Sequence, residues 1–80
     1  MKRVSVAMAV YNGETYLKEQ LDSILQQLGD NDEIVISDDG SLDHTIEIIR
    51  SYQAADHRIR FVHGPKLGIK QNIANAIGQT

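Results

Sequence analysis

The sequence contains no cysteine, which removes disulfide staples, thiol redox chemistry and thiolate zinc sites at once. No apolar stretch approaches the roughly 20 residues needed to span a bilayer. The eight Lys and Arg are scattered and outnumbered by eleven Asp and Glu, for a formal net charge of −3. That balance offers no basic stripe for a polyphosphate backbone, so nucleic acid is not expected as a partner. Several chemical signatures are also missing. There is no phosphate loop of the GxxxxGK type, and the first turn holds one glycine, Gly13, where a dinucleotide fingerprint needs three. No serine stands in a nucleophile elbow. His44, His57 and His63 lack metal-site spacing and read as surface or strand-end residues. No residue of the segment is assigned a catalytic or metal-ligating role.

What is present is an ordinary globular composition, 41% hydrophobic and 24% charged over 80 residues, which argues against a disordered tail. A chain of this length buries only roughly 60–65% of the surface it exposes when unfolded, so its core is marginal. Met1-Lys2-Arg3 before Val4 to Val10 imitates a leader peptide. The apolar run is short, its small-residue triplet Ala7-Met8-Ala9 lies within it, and its valines favour a strand.

The pattern alternates strand and helix three times. Val4 to Val10 is nearly continuous and β-branched, as in a strand covered on both faces. After the Asn12-Gly13 turn, Leu17, Leu21, Ile24, Leu25 and Leu28 form one helical stripe, with Gly29 as its expected C-cap. Ile34-Val35-Ile36 is a second strand, ended by Ser37-Asp38-Asp39-Gly40-Ser41. Asp43 is placed to cap a helix carrying Ile46, Ile49 and Tyr52 on one face. Ile59 to Val62 is a third strand, closed by Gly64-Pro65. Lys70 to Ile77 is a third helix, with Ile69, Ile73 and Ile77 four apart and Gly78 at its end.

Strands joined by helices imply a parallel α/β sheet with right-handed crossovers and strand order 3-2-1. The first strand then lies at an edge, which soluble domains avoid leaving bare. The expectation is therefore a single incomplete domain over residues 1–80, the first half of a larger one, with self-association through that strand.

Ligands of such sheets bind beyond the carboxyl ends of the strands. Three segments meet there: Ala9 to Asn12, Asp38 to Ser41, and Gly64 to Asn72. A carboxylate after the second strand can accept from a nucleobase N–H or a ribose hydroxyl, or Asp38 and Asp39 can simply shape a turn. Tyr11 can stack on a base or pack on the helix below. Lys66, Lys70 and Gln71 lie near the third crossing, within reach of a base or a phosphate or merely solvated.

Taken together, these motifs resemble a known family. Val4 to Gly13, with Tyr16-Leu17, Leu21, Ser23-Ile24 and Gln27, is similar to the opening of family 2 glycosyltransferases of the GT-A fold. Ile34 to Asp43 resembles their second-strand signature, an aspartate pair followed by Gly-Ser-x-Asp. Leu67-Gly68 with Asn72 resembles the third motif. The resemblance implies a three-layer, Rossmann-like nucleotide-diphospho-sugar transferase half-domain. It also implies an inverting enzyme of polysaccharide biosynthesis that moves a sugar, most often from a UDP-sugar, to a saccharide or lipid-linked acceptor.

Carried over by position, Ala9 and Tyr11 line the base pocket, Asp39 accepts the uracil N3–H, and Asp38 supports that loop or reaches the ribose. Where the family usually has a cation directly before the third-motif asparagine, this chain has Gln71, with Lys70 before it. The Mg2+ or Mn2+ ion and catalytic base of the complete enzyme belong to later motifs, so this segment alone is expected to be inactive. The resemblance further implies a cytoplasmic location, at the inner face of the membrane for the complete enzyme. The other reading is a non-catalytic nucleotide-binding or self-associating module derived from such an enzyme.

Overall fold

The computed structural model describes residues 3–80; Met1 and Lys2, which open the leader-like string, lie outside them. The elements follow in the order β1 (Ser5–Val10), α1 (Leu17–Leu25), β2 (Glu33–Asp38), α2 (Thr45–Ala55), β3 (Ile59–His63) and α3 (Ile69–Gly78). The three strands form one parallel sheet with β2 between β1 and β3, which is the 3-2-1 order expected from the alternation. The register aligns Val10, Asp38 and His63 at the carboxyl tips. Tyr11, Asp39 and Gly64 therefore leave the sheet side by side.

Side-chain alternation along the strands sorts the helices into layers. Met8, Val10, Ile34, Ile36 and Ile59 point to one face and pack with Leu17 and Leu21 of α1 and Ile49 of α2. Val35 and Ser37 point to the other, where α3 lies against β1 and β2 and contributes buried Asn72 and Ala76. Every residue of β2 is buried, as its central place demands. β1 is not covered on both faces along its length, contrary to the expectation from its apolar run. Ser5 and Ala7 are exposed, Val4 precedes the strand half-exposed, and only Met8 and Val10 are buried.

Two helix boundaries differ from the sequence pattern for local reasons. α1 stops at Leu25, with Gln26 as C-cap; the next turn tightens, the Gln27 N–H donating to the Ile24 carbonyl at 3.0 Å, and the Arg58 guanidinium donates to the carbonyls of Leu25 (3.3 Å) and Leu28 (2.9 Å). The guanidinium serves carbonyls that the end of the helix leaves without a full set of intrahelical partners. Leu28 and Gly29 thus belong to the turn, where the Gly29 N–H donates to Asp32. At α2 the N-cap position falls on His44, yet Asp43 still accepts the Thr45 N–H at 2.9 Å, one residue before the formal cap. On α2 itself Ile49 is buried, with Ile46 and Tyr52 half-buried beside it. The four-apart isoleucines of α3 mark its outward face: Ile69, Ile73 and Ile77 are all exposed.

A buried charge closes the end of the sheet away from its carboxyl tips. Glu33, 4% exposed, accepts from the Ser5 hydroxyl at 2.6 Å and pairs with Arg3 and Arg60. The Ser5 hydrogen bond, ahead of the two guanidinium groups, outweighs the burial and draws the Glu33 carboxyl down to about 2 from its ordinary 4.5. A depressed carboxylate lends stability that is complete above its unfolded value and lost as pH falls through the folded one. Stability should therefore decline between about pH 4.5 and 2. Asp56, held at about 2 by Arg58, contributes a second share. Unfolding measured across that interval should show a shallower pH slope in Glu33→Gln, with the remainder shared by Asp56 and by Asp32 and Asp43, whose carboxyls hydrogen bonds also lower.

Candidate nucleotide site

The carboxyl tips of the strands open into a cleft of about 600 Å³, lined by Ala9, Tyr11, Tyr16, Asp39, Lys66 and Asn72 among others. Its walls are the three loops that follow the strands, and each is held by side-chain bonds to backbone. Asn12, at φ +50°, links the first loop to the second. Its N–H donates to Ser41 Oγ and its Oδ1 accepts the Leu42 N–H, both at 2.8 Å. The Gly13 N–H donates to Thr45 Oγ1 at 2.7 Å, and the Glu14 N–H to Asp43 Oδ2 at 3.2 Å. The Glu14 carboxylate meets His44 Nδ1 at 2.9 Å and raises the imidazole pKa. Together these contacts satisfy backbone groups that sheet pairing cannot reach.

The two aspartates have separate tasks. Asp38 is 1% exposed, and its carboxylate accepts the N–H groups of Gly40 (3.1 Å) and Ser41 (3.0 Å) and the Ser41 hydroxyl (2.5 Å). It shapes the loop from beneath and does not line the cleft. Asp39 does line it. Its Oδ1 accepts the Lys66 N–H at 2.6 Å, which fixes the carboxylate against the third loop. Carboxylate oxygens hold more lone pairs than this one bond uses.

Tyr11 is 54% exposed, its ring free to present a face to a ligand in the cleft. Ala9, half-buried, forms part of the floor. Lys70 and Gln71 are exposed on the first turn of α3 and do not reach the lining; Lys66, Ile69 and Asn72 line that side instead.

Tyr16 is a lining residue that the sequence did not single out. Its ring lies on Gly13, where an added Cβ would sit 2.8 Å from the phenol carbon and oxygen. The only local signal was the glycine itself, and a glycine after asparagine reads first as a turn. Among the described residues, no group of three or more His, Cys, Asp or Glu is placed to hold a metal ion.

A carboxylate, aromatic rings and a single cation line the tips of a parallel sheet, the place where α/β domains of Rossmann-like arrangement bind their ligands. Comparison with known proteins narrows the class. The pattern of the Glycosyl transferase family 2 matches residues 5–80, and the chain belongs to that family. It is 40% identical over 67 residues to glycosyltransferase GlyA of Streptococcus pneumoniae serotype 4, which covers 84% of this chain and 10% of GlyA. Glycosyltransferase GlyG of the same organism is 38% identical over 65 residues, 81% of this chain and 22% of GlyG. An uncharacterized glycosyltransferase of Rickettsia felis is 41% identical over 81 residues, 96% of this chain and 13% of that protein. The chain thus spans between about a tenth and a fifth of the length of these relatives.

Gly64 is the position where packing most constrains the site. A Cβ there would lie 2.8 Å from Asp39 Oδ1 and closer still to the Asn72 carboxamide oxygen. Gly64→Ala should lower unfolding free energy by about 1–3 kcal/mol through overpacking. Gly78→Ala, on α3 with nothing within 4 Å, should instead stabilise the chain by about 0.4–1 kcal/mol. Urea unfolding of the two variants against wild type checks both signs.

Proposed function

We propose that this chain supplies the nucleotide-recognising part of an inverting glycosyltransferase that uses a UDP-sugar. The observation that carries the reading is the meeting of Tyr11 and Asp39 on one cleft at the strand tips. Uracil presents one imide N–H between two carbonyls, which a carboxylate matches at its centre. Cytosine has no proton at that nitrogen and would set a lone pair against the Asp39 charge. The exposed Tyr11 ring supplies a stacking face that no hydrogen-bond pattern restricts.

In the complete enzyme the acceptor hydroxyl oxygen would bond to the anomeric carbon as the bond from that carbon to the diphosphate oxygen breaks. UDP leaves from the opposite face, which inverts the configuration, and a carboxylate base takes the hydroxyl proton. A saccharide or lipid-linked acceptor, and a Mg2+ or Mn2+ ion that offsets diphosphate charge, belong to the same proposal. Among the described residues no group of three or more His, Cys, Asp or Glu is placed to hold that ion, and the proposal assigns neither metal ligand nor base to them. No helix among the described residues is long and apolar enough to cross a membrane.

Titrating the chain with UDP while following amide shifts should show saturable changes at Tyr11 and Asp39, with CDP binding at least tenfold more weakly. Asp39→Asn turns part of the acceptor into a donor and should reduce UDP affinity about tenfold or more. The same preparation should transfer no labelled sugar. UDP and CDP binding alike, or UDP binding that survives Asp39→Asn, would overturn the uracil assignment.

One observation also favours self-association. Among the described residues β1 has a sheet neighbour on one side only, and an open strand edge is a template for pairing. Sedimentation over a range of concentrations should show a dimer forming, and Ala7→Pro on the exposed part of that strand should shift the chain toward monomer.

A further inference from the structure

Lys66 combines features that its exposure alone does not explain. Its φ is +61°, in the left-handed region where a side chain is disfavoured and glycine or asparagine fits with less strain. Its N–H holds Asp39 Oδ1 at 2.6 Å, a task any residue except proline could perform through its backbone. Its stem crosses Gly40: a Cβ on that glycine would lie 3.0 Å from Lys66 Cε and 3.5 Å from Cδ. Gly40 itself sits at φ +90°, so backbone conformation and the crossing stem both call for glycine.

Because Gly40 directly follows Asp39, this contact keeps the lysine on the aspartate's side of the cleft. Lys66 is the cationic residue of the lining, and no ion pair within 4.0 Å neutralises it among the described residues. Strain maintained at a binding cleft points to a role for the side chain that a less strained residue could not fill.

We propose that Lys66 is a specificity-determining residue of this cleft, its ammonium donating to the carbonyl beside the imide N–H that Asp39 accepts. The inference rests on the uracil reading above and deepens it. An acceptor and a donor side by side complement an imide edge, in which N–H and C=O are neighbours. With the ammonium at the O4 carbonyl, cytosine and adenine offer the reverse order there, an amino donor beside a bare ring nitrogen, and meet mismatches at both groups. The family position just before Asn72, filled here by Gln71, is then not needed to bring a cation to the base.

The test is calorimetric titration of the 80-residue chain with uridine and, separately, with UDP. It compares wild type with Lys66→Met, which keeps the stem and the backbone bond to Asp39, and with Lys66→Gly, which also relieves the left-handed strain. Lys66→Met should weaken uridine and UDP by the same factor, about three- to tenfold. Lys66→Gly should lose at least as much affinity yet melt no lower than wild type.

Undiminished uridine binding by Lys66→Met would overturn the proposal. So would a loss confined to UDP, which would put the ammonium at the diphosphate. A Lys66→Gly variant that melts lower would show that the lysine serves the fold. Failure of wild type to bind either ligand would be a different result, removing the uracil reading and this inference with it.

Discussion

One buried carboxamide underlies the geometry of the cleft. Asn72, 2% exposed, donates from Nδ2 to the carbonyls of Ser37 (3.0 Å) and Val10 (3.3 Å) and accepts the Ser37 hydroxyl at 2.7 Å. A single side chain of α3 thereby joins the ends of β1 and β2 where the loops depart. Asn75 extends the set, donating to Ser37 Oγ at 2.8 Å and to the His63 carbonyl of β3 at 3.1 Å. Buried polar groups specify one arrangement when every member is paired, and no buried side-chain nitrogen or oxygen among the described residues is left without a partner. An apolar residue at Asn72 could fill the space, but it could not fix which backbone oxygens face it.

The loops above that network are joined to one another and do not stand free. Asn12 and Gly13 are bonded to Ser41, Leu42 and Thr45, and Asp39 to Lys66. A ligand entering between Tyr11 and Asp39 would therefore meet walls that are already placed, which lowers the ordering cost of binding. The two aspartates show how neighbouring carboxylates divide their work. The strand's alternation turns Asp38 inward to hold the turn, and the next residue is left for the cleft.

Much of this was legible in the residues. The alternation of β-branched runs with helical stripes fixed the order of elements, and parallel pairing with β2 in the middle follows from helical crossovers. The pairing of Tyr11 with Asp39 at the tips was equally readable, because each stands one residue past an aligned strand end. The isoleucine stripe of α3 was less informative. Its spacing marks a helix, but the packed face belongs to Asn72 and Ala76, since apolar periodicity records a surface to be covered and does not name the layer that covers it. Tyr16 escaped as a lining residue, and Lys66 stood level with Lys70 and Gln71, for another reason: each reaches the cleft across a glycine, Gly13 or Gly40, and an absent side chain leaves no pattern of its own.

The sequence by itself determined the α/β class, the strand order and the strand tips that carry the acidic and aromatic groups. These depend on periodicity and turn chemistry, which act over a few residues. Of the two tasks left open to Asp38, the loop or a ligand hydroxyl, only the tertiary structure decided for the loop. It also brought Lys66 to the lining and left Lys70 and Gln71 outside. Those outcomes depend on which backbone N–H groups and which glycines stand opposite one another after folding, and residues 27 positions apart, such as Asp39 and Lys66, carry no local record of that meeting.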